Sequence, residues 1–293
     1  MRIIYIAILL LTADFSAAQS FHKISRKGDL WMGWGWNRAA YTKSDIHFSG
    51  AGYDFTLHDV VANDKQTPFD AETYFGFSTI TIPQTNLRAG YFIKNNLAVT
   101  FGYDHMKYVM SNNQTVRFTG HIDDPQYASY VQSDGNIYLA PSFLTLEHTD
   151  GLNYINAEVE LHNGVYKKNW FECNAFIGGG FGGLLPKSNV KLMGYPRSDE
   201  FHLAGYGAHM KAGFEVLLSR FFFIRMEGKA GYINMPEIVT RPESAEDRAK
   251  QQFGYAELDG MFGFILAGKS QKENSINEIP APTGVNSINQ GPK

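Results

Sequence analysis

Hydrophobic and polar residues alternate along several stretches of this chain, and the clearest stretch covers residues 86–107. A period of two residues is typical of a β-strand whose two faces meet different surroundings. Residues 94–96 interrupt the alternation with a short polar turn, so the stretch predicts a β-hairpin. Counting across that turn places Arg88 opposite Gly102 and diagonal to Asp104, within reach of a long side chain.

A second hairpin, over about residues 203–233, follows the same pattern. Counting across its turn sets Glu215 opposite Arg225 and Lys211 diagonal to Glu227, so opposite charges share one face. The alternation alone would also fit a soluble β-sandwich. The apolar side, however, continues through several strands while the other side carries compensating charges. This combination favours a closed barrel with its apolar face toward lipid.

The sequence therefore predicts an all-β fold, a single transmembrane antiparallel β-barrel with long extracellular loops. About ten strands are expected, at residues 29–40, 46–58, 73–82, 85–94, 96–108, 151–162, 168–180, 203–218, 220–233 and 252–267. Dropping 73–82 and one strand near the start gives eight strands, and adding a hairpin from 114–122 and 137–146 gives twelve. An even count places both ends of the barrel in the periplasm.

The lengths of the connections predict the orientation of the barrel. Short turns follow Ile93, Leu161 and Leu218, and they are expected to face the periplasm. The long connections are expected to face outward, at residues 110–150, 182–200 and 234–251.

The two ends of the chain predict export and a tail. Arg2 precedes an apolar run and then the small-residue stretch at 16–19, which is the order of regions in a secretory signal peptide. We expect residues 1–19 to be the signal peptide, 20–268 the β-barrel and 269–293 a disordered periplasmic tail. The predicted location is the outer membrane of a Gram-negative cell.

The composition supports this class and excludes others. Aromatic residues make up 14% of the chain and 29 residues are glycine, which suits strands and tight turns. The net charge of −3 gives no reason to expect a nucleic-acid partner. Cys173 is the single cysteine, which excludes an intrachain disulfide and a cysteine-based zinc site.

The aromatic-rich alternating strands and several short stretches resemble the outer-membrane β-barrel proteins of Bacteroidetes-type bacteria. The stretches are Gly35-Trp36-Asn37-Arg38, Tyr53-Asp54-Phe55-Thr56-Leu57, Ile82-Pro83-Gln84 and Asp104-His105-Met106-Lys107-Tyr108. The resemblance covers roughly residues 20–268 and implies an outer-membrane location and a barrel architecture. It implies no catalytic residue.

The charged residues on the predicted inner face are the first candidate site. They are Arg88, Asp104, Glu158, Glu160, Glu172, Lys211, Glu215, Arg225, Glu227, Lys229, Glu257 and Asp259. Small barrels fill their interior with side chains, and buried charges have to be paired. We therefore expect a plug of ion pairs and a structural, interaction or surface-binding role. The alternative is a narrow polar conduit for solutes; neither a cofactor nor a metal is expected.

The second candidate site is the outer rim of the strand that ends near Lys107. Parity points His105 and Lys107 outward, where Lys107 would contact the phosphate of lipopolysaccharide or another outer-membrane lipid. His105 beside Ser111 would suit an enzyme that modifies lipid A or phospholipid acyl chains, with His105 as general base. The alternative is that these residues are ordinary interfacial anchors. Trp31, Trp34 and Trp36 are expected to form an aromatic girdle at the periplasmic interface.

Overall fold

The computed structural model describes residues 22–76, 78–79, 82–168, 171–244 and 246–266. The predicted signal peptide and tail lie outside the described residues. The strands are β1 (Leu30–Tyr41), β2 (Ser44–Gly50), β3 (Tyr53–Val60), β4 (Ala62–Asp64), β5 (Thr85–Lys94), β6 (Leu97–Met110), β7 (Thr115–Ile122), β8 (Asn136–Tyr138), β9 (Leu144–Lys168), β10 (Phe171–Leu184), β11 (Lys187–Leu192), β12 (Ser198–Phe201), β13 (Gly205–Leu217), β14 (Phe222–Val239) and β15 (Arg248–Leu266). Two short helices are present in these residues, α1 (Ala71–Phe75) and α2 (Pro125–Ala128). The fold is all-β, as predicted.

Eight of the described strands close into a ring. Their order is β1, β5, β6, β9, β10, β13, β14 and β15, and β15 pairs back to β1. Every pairing is antiparallel. Eight is the smallest of the three strand counts that the sequence left open. The predicted strand at 46–58 is instead the hairpin of β2 and β3, and the predicted strand at 73–82 begins within α1.

The registers of the two diagnostic hairpins follow from their turn lengths. Arg88 pairs with Gly102 in the hairpin of β5 and β6, as counting across the turn predicts. Glu215 pairs with Arg225 in the hairpin of β13 and β14, also as predicted. Because side chains alternate between the faces of a strand, these registers fix which residues point into the ring.

The outer face of the ring is an exposed apolar belt. It includes Leu30, Met32, Leu87, Tyr91, Phe101, Ile155, Val159, Ile177, Phe181, Met210, Phe214, Ile224, Met226, Leu258, Phe264 and Leu266, all of them exposed. Charged side chains occupy the inner face and are buried there. Apolar residues outside and charges inside is the arrangement of a membrane-spanning barrel, so the predicted fold class is confirmed. No helix in the described part of the chain is long and apolar enough to cross a membrane.

Beyond the belt, the two faces of the strands exchange roles. In β6 the residues near its end that point inward are apolar, namely Met106, Tyr108 and Met110, and they are buried. They join a hydrophobic core with Phe48 and Phe55 of the β2–β3 hairpin. This second half, which we name the cap, consists of β2, β3, β7, β8, β11 and β12 with the adjoining ends of β6, β9, β14 and β15. The cap lies at the end of the ring opposite the short turns.

Four strands of the ring, β6, β9, β14 and β15, continue into the cap. β9 has 25 residues, which extend about 80 Å at roughly 3.3 Å per residue. The hydrocarbon core of a bilayer is only about 30 Å thick. The long connections predicted from the sequence are therefore largely folded into β-structure that rises beyond the apolar belt.

The three tryptophans do not form the predicted girdle at the end of the ring with the short turns. Trp31 is fully buried inside the ring, edge-on to Phe223 at 5.7 Å between ring centroids. Gly90 makes room for it, because a Cβ at that position would lie 2.4 Å from the indole. Trp34 and Trp36 lie on the outer face, but they pair with Leu87 and Thr85 at the end of β5 away from the short turn. There α1 packs against them through Phe75.

Candidate functional site

The inner face of the ring gathers the charged residues that the alternation pointed inward. All of them are buried except Glu172, which lies at the end with the short turns and contacts His22 and Lys167 at 3.2 and 3.1 Å. They come from β5, β6, β9, β10, β13, β14 and β15, so almost every wall of the ring contributes. We call the buried members the lumen network.

Arg88 is the centre of the lumen network. Its Nη2 atom lies 2.6 Å from Asp104 Oδ1, a direct charge-assisted hydrogen bond. The same guanidinium lies 3.6 Å from Glu158, 3.5 Å from Glu227 and 3.7 Å from Asp259. One cation therefore serves carboxylates from four different strands across the interior.

Two more cations hold the side of the network nearer the short turns. Lys211 Nζ lies 2.5 Å from Glu158 and 2.7 Å from Glu160. Arg225 bonds Glu160 at 2.8 Å and Glu227 at 3.0 Å. The guanidinium of Arg225 also lies over the Phe176 ring at 3.7 Å, a cation–π contact that fills space as well as balancing charge. Glu215 and Arg225 are register partners, but their ion pairs are with other residues.

The fourth cation, Lys229, lies among three carboxylates on the side of the network nearer the cap. Its Nζ atom lies 2.7 Å from Asp104, 3.3 Å from Glu257 and 3.8 Å from Asp259. The ligand atoms of these three acids all lie within 4.8 Å of one another, close enough to hold a metal ion. The Lys229 ammonium already supplies a cation at this position, so the arrangement is accounted for as an ion-pair cluster.

Sequence reasoning missed several members of the network. His209 and His162 each lie 2.9 Å from a buried glutamate, Glu158 and Glu160 respectively. Arg26 comes from the segment before β1; its guanidinium lies 2.5 Å from Glu215 and over Phe92 at 4.1 Å. Residues 22–29 therefore enter the end of the ring with the short turns. That segment has no alternation to reveal it, whereas His162 and His209 share the inward parity of their strands.

The rim candidates are placed apart from one another. His105 points outward by parity, yet it is buried, and its Nδ1 atom lies 2.9 Å from Asn153 Oδ1. Ser111 accepts a hydrogen bond from Asn63 at 2.6 Å, and no contact between Ser111 and His105 is present among the described hydrogen bonds. Lys107 donates to the Ile82 carbonyl at 2.7 Å and to Thr67 at 3.0 Å. The segment before β5 therefore contacts the Lys107 ammonium, and the residue remains partly exposed.

With this geometry established, comparison with known proteins gives weak likenesses only. No family model matches the chain, and no curated protein matches it. Among solved structures, the outer membrane protein OprG from Pseudomonas aeruginosa is 9% identical at a TM-score of 0.37, over 84% of this chain and 99% of that one. The Escherichia coli outer membrane protease OmpT is 12% identical at 0.32, over 86% and 99%. Ail of Yersinia pestis, the attachment invasion locus protein, is 11% identical at 0.28, over 82% and 99%.

Proposed function

We propose that the protein is a non-conducting outer-membrane β-barrel that anchors its cap at the cell surface for a structural or binding role. The observation that supports this best is the lumen network, which fills the interior with paired charges. Eight-stranded barrels have interiors just wide enough for side chains to fill. The exposed apolar belt supports the membrane location, and the predicted signal peptide supports export.

The orientation and origin belong to the same proposal. Short turns and the entry of residues 22–29 at one end would face the periplasm, and the cap at the other end would face outward. The outer face of the cap is polar, as an aqueous surface requires. His47, Asp54 and His58 are exposed or partly exposed on it. Bacteroidetes-type bacteria as the source remain a prediction from the sequence. The partner of the belt would be outer-membrane lipid and lipopolysaccharide.

The solute conduit is disfavoured by the same network, because Arg88, Lys211, Arg225 and Lys229 span the interior from wall to wall. We expect the purified protein in a planar lipid bilayer to show no discrete conductance steps. A 16-stranded porin inserted in the same way is the positive control. Reproducible single-channel openings from the wild-type protein would overturn the proposed non-conducting barrel.

The lipid-modifying enzyme is disfavoured by the burial of His105 and by its separate hydrogen bonding from Ser111. A second serine–histidine contact, 2.9 Å between Ser188 and His148, is buried within the cap.

Replacing His105 with alanine is expected to leave the lipid A acyl pattern unchanged, because the described hydrogen bonds of its ring are to Asn153 and Tyr103 and not to a serine. Mass spectrometry of lipid A from wild-type, deletion and His105→Ala strains tests it. An acyl difference between wild-type and deletion strains that His105→Ala reproduces would establish the enzyme instead.

A further inference from the structure

A cleft opens at the tip of the cap, where three connections of the chain meet. It has a volume of about 350 Å³ and lies between the β2–β3 turn, the stretch from Ile122 to Tyr127 and the turn after β11. Small-molecule sites run from about 300 to 1,000 Å³, so the cleft is of a size for one small ligand. The lumen network does not extend to this point, and nothing in the proposed anchoring role uses the cleft.

The walls of the cleft are held in place by backbone contacts. Asp123 N donates to the Gly52 carbonyl at 2.9 Å, which ties the first two connections together. Met193 N donates to Phe143 O at 2.8 Å, which ties the third to the cap core. Gly194 has a φ of 75°, and a Cβ there would lie 2.7 Å from the Tyr127 hydroxyl. Glycine at this turn therefore lets Tyr127 lie directly across it.

Three tyrosines line the cleft. Tyr127 and Tyr195 are half-buried at its sides, and Tyr53 is buried beneath. The Arg241 guanidinium lies over the Tyr195 ring at 4.2 Å and braces it. Tyr53 donates to Asp247 at 2.5 Å; burial, and then this hydrogen bond, raise the pKa of Tyr53 well above its ordinary value. Tyr53 thus stays a neutral donor committed to Asp247.

The rim of the cleft is polar and acidic. Asp123, Asp124 and Gln126 are exposed there. One Asp124 oxygen accepts from Gln126 N at 2.9 Å as the cap of α2. The Asp123 carboxylate is 71% exposed and lies 4.0 Å from the exposed His121. Arg241 is committed to Tyr195 and lies 3.9 Å from Asp247, so the exposed rim of the cleft is predominantly acidic.

We infer that this cleft is a binding site for a neutral saccharide of one or two pyranose rings. The apolar face of a pyranose packs on aromatic rings, and its hydroxyls donate to carboxylates in charge-assisted hydrogen bonds. An anionic sugar is excluded by the carboxylates at the rim. The inference deepens the surface-binding role and rests on the cap facing outward.

The test uses the full-length protein in lipid nanodiscs, titrated with maltose, cellobiose, lactose and chitobiose and followed by saturation-transfer NMR. At least one of these sugars is expected to bind with a Kd near the millimolar range, while glucuronic acid binds at least tenfold more weakly than that sugar. Tyr127→Ala and Tyr195→Ala are expected to weaken binding at least tenfold. Tyr138→Ala, a change to an exposed tyrosine of β8 outside the cleft, serves as the matched control and leaves binding unchanged.

Asp123→Asn keeps the inference testable if the tyrosine variants fail to fold, because this side chain is 71% exposed and the change is nearly isosteric. It is expected to weaken binding of the neutral sugar and to reduce the ratio between the Kd of glucuronic acid and the Kd of the neutral sugar. Binding by none of the four sugars, unchanged binding in both tyrosine variants, or preferential binding of an amine probe such as lysine methyl ester would each overturn the inference. Channel formation in the bilayer experiment would instead overturn the anchoring proposal and leave sugar binding intact.

Discussion

Replacing Arg88 with methionine is expected to lower the free energy of unfolding by about 3–5 kcal/mol, the usual cost of removing one partner of a buried ion pair. Arg88 is fully buried and contacts four carboxylates, so the change leaves several acids without their shared cation. Methionine retains much of the side chain's length, which limits the contribution of an empty cavity. Urea titration of the protein in lipid vesicles, followed by tryptophan fluorescence, measures the change.

The matched control is Arg38→Met, at an exposed arginine of β1 whose described hydrogen bond is to a neighbouring backbone carbonyl. Exposed substitutions usually change stability by no more than about 0.5 kcal/mol. Adding Asp259→Asn to Arg88→Met is expected to recover part of the loss, because without Arg88 the Asp259 carboxylate keeps only a 3.8 Å contact to Lys229 and the asparagine is neutral. A loss below about 1 kcal/mol in Arg88→Met would show that the network is not held by this residue.

Replacing Phe55 with alanine is expected to cost about 3–5 kcal/mol, the range for a large aromatic side chain removed from a core. Phe55 has no exposed surface, and its ring lies 5.3 Å from the rings of both Phe48 and Phe118. Because this core belongs to the cap, the change is expected to loosen the cap and leave the ring folded. Limited proteolysis with mass mapping would then find cleavage within the cap at lower protease concentration.

Phe69→Ala is the control for the cap prediction, since Phe69 is 75% exposed and lies outside that core. Its protease sensitivity should match the wild type. The ring is followed separately by heat-dependent gel mobility, which reports whether the barrel remains closed. Loss of the ring together with the cap in Phe55→Ala would show that the two halves unfold as one unit.

The ring could be predicted from the sequence because its information is local. Alternation fixes the two faces of each strand, and a turn length fixes the register. The pairing of Arg88 with Gly102 and the salt bridge from Arg88 to Asp104 follow from those two facts alone. Lys211 and Glu227, placed diagonally by the same count, lie 3.6 Å apart.

The cap was harder to predict because its apolar residues also alternate with a period of two, but on the inward face of the strand, whereas those of the ring lie on the outward face. In β6 the apolar positions are Leu97, Val99 and Phe101 and later Met106 and Tyr108, a shift from odd to even numbers within one strand. That shift is a readable signal of where the apolar surroundings change from lipid to protein core. The entry of Arg26 into the ring depends instead on a distant partner, Glu215, and no local pattern encodes it.

The uninterrupted passage of β9, β14 and β15 between the two halves has a mechanical consequence. A tether of flexible loops would let the tip swing and tilt, whereas strands bonded to their neighbours along this length resist both motions. A ligand bound at the tip would therefore be held at a fixed distance from the membrane surface and in a fixed orientation. Truncating the cap at the bilayer surface would cut through these strands. It would also expose to water the apolar side chains that the cap now buries.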